Sequence, residues 1–243
     1  MSQNSSMTTV TSSASAMDQP FESWLAPLLQ CSDSAYPVGS FAHSFGLESM
    51  VQSGTVTEQN SLKEFLNGPV RHGLENIDFP ILSHSYYAIS AGNFNELIDL
   101  DCLSAACRTP AELKEASSRI GRQRMEILRT LWQEIYPVPE INLPHEQAPV
   151  VAGIEAFILG APRRSAMAVY GHGSYAAILS ASIKLLRLGQ TQIQKILMEC
   201  SQGLGSVIEE SDGVSMENIG SFAPLFDTAS MQHERCSARL FLS

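Results

Sequence analysis

The chain has 243 residues, of which 44% are hydrophobic and only 16% are charged, and its formal net charge is -10. So acidic a protein repels the phosphate backbone, which excludes nucleic acid as an expected partner. It has no run of about 18 consecutive apolar residues, which excludes a membrane-spanning helix.

The first part of the chain predicts a polar tail followed by short helices. Residues 1–19 are rich in Ser and Thr and have no hydrophobic period, so we expect them to be disordered. A short apolar helix is expected from Phe21 to Leu29. Ser40 is expected to N-cap a helix that runs from Phe41 to about Gln52, with Gly54 at its C′ position.

Helix start and stop signals continue through the next 30 residues. Ser61 and Glu64 have the spacing of a capping box, which predicts a helix beginning at Ser61. The pair Gly68-Pro69 should kink or break that helix. Asp78 is expected to cap the helix that follows.

The helical pattern is strongest after Thr109, a good N-cap with Pro110 at the first helical position. Six of the fifteen basic residues lie between Arg108 and Arg129, and we interpret them as a solvated helix face. The four prolines within residues 134–149 predict a connecting loop. We do not expect this loop to be a domain boundary.

Helices also account for the second half of the chain. Gly171 and Gly173 lie inside one of them, which predicts that its backbone comes close to a neighbour. Residues 20–243 are therefore predicted to form a single all-α domain, an irregular bundle of about 8–10 helices. The expected helices of this half run from about Pro149 to Leu159, Ser165 to Leu188, Gln190 to Ile208 and Pro224 to Arg239.

The chain contains none of the familiar catalytic motifs. The phosphate-binding loop GxxxxGK[ST], GxGxxG, HExxH and CxxC are all absent. The six histidines are scattered, so structural roles are favoured for them, and the acidic cluster of Glu209, Glu210 and Asp212 is interpreted as part of a loop. Five widely spaced cysteines and no basic residue before Lys63 predict a cytoplasmic protein without a disulfide framework. The residues alone thus predict an all-α binding protein without a recognisable active site, and a transient metal contact at His43 or His233 is the alternative that they leave open.

Three segments resemble those of a known family. Residues 32–48 read SDSAYPVGSFAHSFGLE, residues 170–172 (YGH) run on to residues 188–190 (LGQ), and the C-terminal region holds ASMQHE followed by SARLF. In this order they resemble the urease accessory protein UreF family, with a weaker match at Ser118–Gly121. Two departures are Tyr36, where the family often has a smaller aliphatic residue, and Cys236-Ser237-Ala238 before Arg239.

The resemblance implies a non-catalytic, all-α and usually dimeric protein. Members of the family bind UreD (UreH in some organisms), recruit the GTPase UreG and help deliver nickel to the urease apoprotein. Nickel then passes through the complex and is not a resident cofactor of this chain. A role as a GTPase activator and a nickel tunnel have both been suggested for the family, and both stay open here.

The resemblance also implies which residues face or organise partners. An alternative is that His43, Ser44 and Glu48 only brace their own helix. A rival function is a helical metal-binding protein, and another is a direct GTPase activator with an exposed arginine at 119–129 or at Arg163-Arg164. The implied partner-binding residues are Phe41, His43, Ser44, Gly46, Glu48, His233, Glu234, Arg239, Leu240 and Phe241.

Overall fold

Every regular element in the part of the chain that the structure describes is helical, which confirms the all-α fold. This computed structural model describes residues 22–221, 223–233 and 239–242, with only the backbone of residues 232 and 233. The predicted disordered segment 1–19 lies outside these residues. The helices are α1 (Leu25–Ser32), α2 (Leu47–Gln52), α3 (Gln59–Phe65), α4 (Arg71–Gly73), α5 (Phe79–Ser90), α6 (Phe94–Ala106), α7 (Ala111–Ile127), α8 (Ala148–Ile158), α9 (Arg163–Leu186), α10 (Gln190–Ser211) and α11 (Pro224–His233), with 3-10 turns at Ser40–Ala42 and Met216–Asn218.

Helices α3, α4 and α5 form one continuous rod, because π-helical segments at Leu66–Val70 and Leu74–Asp78 join them. Of the kink or break expected at Gly68-Pro69, the break is wrong, because the helix continues through this pair with a change from α to π geometry. Pro69 lies inside the first π segment, whose wider turn accommodates a ring that would clash in an α-helix. Asp78 does not cap a helix either, since its φ of -68° continues the rod.

Two predicted helix starts are also displaced. The box at α3 is formed by Glu58 as N-cap and Ser61 at N3, and the Ser61 hydroxyl accepts the Glu58 N–H at 3.1 Å. The predicted helix from Phe41 to Gln52 is split, because Phe45 (φ 52°) and Gly46 (φ 83°) are both left-handed. Only a 3-10 turn precedes this break. Gly54, with φ 75°, does end α2 as expected.

Helix α8 lies at the centre of the bundle, where it packs against α5, α6, α7 and α9. All of its residues from Ala148 to Ala156 are buried. Gly153 allows close approach to α5, since a Cβ there would lie 2.5 Å from the Leu82 carbonyl oxygen. One core cluster lies around α5, α9 and α10, and a second lies around α6, α7 and α8.

The predicted connecting loop lies between a π-helical segment at Leu128–Trp132 and α8. The buried Asp101 carboxylate on α6 accepts the backbone N–H groups of His145, Glu146 and Gln147 at 2.6, 3.1 and 2.7 Å. These bonds fix the end of the loop and so the start of α8.

Candidate functional site

The two segments with the clearest family resemblance meet in space. We call residues 40–48 the signature segment and residues 239–242 the tail segment. Within the signature segment, the Ser44 hydroxyl accepts the Glu48 N–H at 3.2 Å. The left-handed turn at Phe45 and Gly46 then aims α2 inward, so that Glu48 is only 1% exposed.

Gly46 is required by its conformation and by its surroundings. Its φ of 83° favours glycine. A Cβ at this position would lie 2.5 Å from Cε2 of Phe226 and 2.8 Å from Oγ of Ser230. The backbone of Gly46 therefore packs directly against α11, and any side chain at this position would displace that helix.

The Glu48 carboxylate holds the tail segment. One of its oxygens accepts the Leu240 N–H at 2.8 Å and the other accepts the Phe241 N–H at 3.0 Å. In addition, the Leu242 N–H donates to the Ala42 carbonyl at 3.0 Å. Hydrogen bonds to a buried carboxylate are among the stronger ones in proteins, so these contacts join the tail segment firmly to the signature segment.

Side chains of the tail segment alternate between the core and the solvent. Phe241 is 8% exposed and belongs to the larger core cluster, and the Lys184 Nζ lies 5.6 Å from the centre of its ring. Leu240 and Leu242 are 67% and 55% exposed. One face of the tail segment therefore anchors it, and the other presents apolar surface.

Helix α7 contributes charged groups to the same region. Glu112 accepts from Arg239 at 2.5 Å, which ties the start of the tail segment to α7. His43 is buried beside the Phe45 ring, at 5.9 Å between centroids. Burial, together with the charge of Arg119, lowers the pKa of His43 against an opposing effect of Glu112.

The structure therefore gathers most of the predicted site residues but does not expose them all. Phe41, Arg239 and Leu240 lie at the surface, whereas the others that are described are buried: His43, Ser44, Gly46, Glu48 and Phe241. His233 ends α11 and its side chain is outside the described part, as is Glu234 entirely. Direct partner contact stays a prediction for all of them.

A groove of about 420 Å³ opens beside the signature segment, between α7, α9, α11 and the rod. Phe41, Phe45 and Phe226 contribute to its walls. A partly buried ion pair of Asp78 and Arg108 lies in the wall. Burial together with the Asp78 charge raises the pKa of Tyr170 next to it. Neither charge is free for chemistry, because each neutralises the other.

The basic run on α7 is only partly a solvated face. Arg119 and Arg122 are exposed, as predicted, but Arg124 points inward and pairs with Glu155 on α8, which is 3% exposed. Arg108 is likewise partly buried, beside Asp78. The prediction is wrong for these two arginines, because acidic partners distant in sequence offset the cost of their burial.

Sequence reasoning also missed residues that shape the site. Glu112, Lys184 and Phe226 hold the tail segment and the signature segment, but their partners lie far away along the chain. The family resemblance of the signature and tail segments was the signal that pointed to this region. The order of residue types along the chain does not show which carboxylate or aromatic ring, distant in sequence, a tail residue contacts.

The described residues supply little for catalysis or metal binding. Burial and the Glu155 charge raise the pKa of the Cys31 thiol to about 12, so it is not a reactive thiolate. Within residues 22–221, 223–233 and 239–242, no group of three or more His, Cys, Asp or Glu side chains could hold a metal ion. Nor is any helix in those ranges long and apolar enough to cross a membrane.

Comparisons with known proteins agree with the resemblance. The UreF family model matches residues 56–201. The chain is 31% identical to the urease accessory protein UreF of Granulibacter bethesdensis, over 91% of this chain and 92% of that protein. It is 30% identical to the UreF of Trichodesmium erythraeum (88% and 94%) and 27% identical to that of an Arthrobacter species (91% and 98%).

Proposed function

Because the chain belongs to the UreF family of urease accessory proteins, we propose that it is a non-catalytic scaffold of the urease maturation complex. In this role it bridges UreD (UreH) and the GTPase UreG and couples nickel delivery to the urease apoprotein. Nickel is the cargo of the assembly, and this chain holds no resident cofactor. We propose that the working form is a homodimer in the cytoplasm.

The observation that carries this proposal is the Glu48 carboxylate, which binds two backbone N–H groups of the tail segment. It joins the two segments with the clearest family resemblance, although nearly 200 positions separate them along the chain. A catalytic carboxylate would need to reach a substrate, whereas this one is buried and accepts hydrogen bonds from the tail backbone and from the Gln52 side chain. The contact therefore supports a structural and docking role.

The exposed half of the site supports partner binding. Leu240 and Leu242 project from a backbone that Glu48 and Ala42 fix. Phe41 is 40% exposed on the adjacent 3-10 turn. Apolar side chains on a rigid support lose little conformational entropy on binding, which favours their use as anchors. The buried members of the site would act by positioning these anchors.

Deletion of the tail tests this proposal. A chain lacking residues 231–243 should fail to activate urease in a reconstituted assay with UreD and UreG. It should still fold around the core clusters of α5 to α10. Circular dichroism and urea unfolding provide the folding control. Normal activation by the deleted chain would show that the tail is not the functional element.

The rival function is a metal-binding protein or metal store. Equilibrium dialysis of the purified chain against nickel, and separately against zinc, separates the two. The scaffold predicts no tight stoichiometric binding by the chain alone. One ion per chain at micromolar or tighter affinity would favour the rival.

A direct GTPase-activating role is a second alternative. Among the arginines predicted for it, Arg124 and Arg163 are largely buried in ion pairs. The exposed ones are Arg119, Arg122, Arg129 and Arg164. An arginine finger has to reach the transferred phosphate, so these four are the residues to replace with Ala. Unchanged GTP hydrolysis by UreG with all four variants would exclude these residues.

A further inference from the structure

A second cleft, of about 430 Å³, lies at the end of the bundle where α5 and α8 end and α6 begins. Phe94 and Phe157 line it from the helices, and the connecting loop contributes Tyr136, Pro137 and Pro139. Its lining consists of Ile, Val, Pro, Phe and Tyr residues. A concave apolar surface of this kind is typical of a site that binds a ligand or a partner protein.

Exposed aromatic rings are concentrated around this cleft. Within the described ranges, four aromatic side chains are more than a third exposed, and three of them, Tyr87, Phe94 and Phe157, lie at this end of the bundle, whereas Phe41 lies on the signature segment. Tyr86 packs edge-on against both Phe157 and Tyr87, at 5.7 and 6.0 Å between ring centroids. Rings held by such packing lose little conformational entropy when a partner covers them.

Acidic residues surround the apolar lining. The charged residues within two positions of a lining residue along the chain are Glu96, Glu134, Glu140 and Glu155. Glu155 is buried in its ion pair with α7, but Glu134 and Glu140 are exposed and have no ion-pair partner in the described part of the chain. One cation is close to them, since Arg129 donates to a carbonyl of the loop at 3.4 Å. The rim is therefore negative overall, which favours a positively charged occupant.

The cleft is separated from the candidate site by the length of two helices. On α8, Ala148 lines the groove beside the signature segment and Phe157 lines the cleft. Asp78 and Ile89 have the same relation along α5. With a rise of 1.5 Å per residue, the two sites are about 14 to 17 Å apart along these helices. A partner at the tail segment thus leaves the cleft open to another.

We propose that this cleft is a second docking surface, which binds a partner segment whose Lys or Arg side chains flank an apolar side chain. The inference rests on the proposed function, since a scaffold that bridges two partners needs two separate surfaces. The apolar side chain enters between Phe94 and Phe157. The basic side chains lay their aliphatic stems along the rings and reach Glu134 and Glu140 with their charged ends.

The charge of the rim also distinguishes this occupant from others. A second copy of this chain is disfavoured, because a symmetric contact would set the same acidic rim against itself. Nucleic acid is disfavoured for the same reason, since the rim repels a phosphate backbone.

The experiment uses the full chain with purified UreD and purified UreG, added singly and together, at about 50 mM and about 300 mM salt. Phe94→Ser removes an exposed ring of the cleft, and the double variant Glu134→Lys with Glu140→Lys reverses its rim. The matched control is Glu64→Lys with Glu209→Lys, which makes the same change of charge at exposed positions of α3 and α10. Thermal unfolding and sedimentation velocity of every variant accompany the titrations.

We expect the rim variant to weaken binding to one of the two partners by at least about tenfold at low salt, with a smaller effect at high salt. Phe94→Ser should weaken binding to the same partner at both salt concentrations, and the control should bind as the unchanged chain does. Unchanged affinity of both cleft variants for both partners would overturn the inference alone, as would a loss of self-association without any loss of partner binding. Failure of the unchanged chain to bind either partner would instead overturn the proposed function.

Discussion

Gly46 shows how one backbone position supports the site. Alanine there has to adopt a left-handed conformation, which costs about 1–2 kcal/mol. Its Cβ also meets the Phe226 ring, and such overpacking costs about 1–3 kcal/mol more. We expect Gly46→Ala to lower the free energy of unfolding in urea by about 2–5 kcal/mol.

Gly39→Ala is the matched control for this prediction. Gly39 has a similar φ of 75°, but nothing lies within 4 Å of a Cβ built on it. It should therefore lose only the conformational part, about 1–2 kcal/mol. Equal losses in the two variants would mean that the contact of Gly46 with α11 contributes nothing to stability.

Glu48 is the second residue for which the structure makes a specific prediction. Glutamine at this position keeps one carbonyl oxygen but replaces the other acceptor with an amide that cannot accept the Phe241 N–H. We expect Glu48→Gln to lower the free energy of unfolding by about 1.5–3 kcal/mol and to speed hydrogen exchange at the Leu240 and Phe241 amides. Glu64→Gln, at an exposed position of α3, is the control. Unchanged exchange at both amides would contradict the proposed contact.

His43 makes stability depend on pH. Its pKa in the folded chain is lowered by burial and by Arg119, while the unfolded chain has a histidine pKa of about 6.5. As pH falls below about 6.5, the unfolded chain takes up a proton that the folded chain does not, so this contribution to stability is lost. Urea midpoints at pH 7.5 and 5.5 should differ more for the unchanged chain than for His43→Asn. Equal differences would contradict the assigned direction.

Helix α9 offers a test at the scale of an element. A Cβ on Gly171 would lie 2.7 Å from Leu204 and 2.8 Å from Phe79, whereas nothing lies within 4 Å of one on Gly173. Gly171→Ala should destabilise the fold by about 1–3 kcal/mol through overpacking. Gly173→Ala should stabilise it by up to about 1 kcal/mol, since alanine is the better helix former. Changes of the same sign in thermal unfolding would contradict this view of α9 packing.

The buried pair of Arg124 and Glu155 joins α7 to α8. Arg124→Met leaves the buried Glu155 carboxylate without its partner. It should therefore lower the free energy of unfolding by about 3–5 kcal/mol. Arg122→Met removes the Arg122–Glu146 pair, in which the arginine is mostly exposed. It should change the free energy of unfolding by less than about 0.5 kcal/mol. The double variant Arg124→Met with Glu155→Leu should recover most of the loss. If the double variant is no more stable than Arg124→Met, the charge account is wrong.

The positions of helices were predictable from the sequence where local signals agree, but several helix boundaries were not. The patterns located α8, α9, α10 and the start of α11 within a few residues. The rod was predicted as separate pieces, because Pro69 breaks an α-helix but not a π turn. The capping box was predicted with Ser61 as its N-cap, but a serine can also occupy the N3 position. In the structure Glu58 is the N-cap and Ser61 is at N3. Tertiary contacts settle these choices.

The site was predictable only through the family resemblance. It pointed to Glu48 and to the tail, but not to the hydrogen bonds between them. Burial of Arg124 also could not be predicted, since its partner Glu155 lies 31 positions away. Residue type and spacing identify which segments matter, whereas the pairing of remote charges is a property of the folded chain.

At the scale of the whole molecule, the low charge has a physical consequence. With 16% charged residues, the surface is poor in solubilising groups, and apolar side chains remain uncovered. We expect the chain alone to self-associate as its concentration rises in sedimentation velocity experiments, and to do so less once partners are added. A monomer at high concentration would contradict this interpretation. The large apolar side chains that are more than half exposed are Leu29, Tyr87, Leu131, Ile135, Met198, Leu225, Leu240 and Leu242.

We infer that this chain activates urease as a scaffold whose signature segment holds its tail segment. The most direct measurement is urease activity after the apoprotein is incubated with UreD, UreG, GTP, bicarbonate and nickel, with and without this chain. We predict strong activation with the unchanged chain, little without it, and reduced activation with Glu48→Gln, while Glu64→Gln activates fully. Equal urease activity in the presence and absence of the chain would contradict the account.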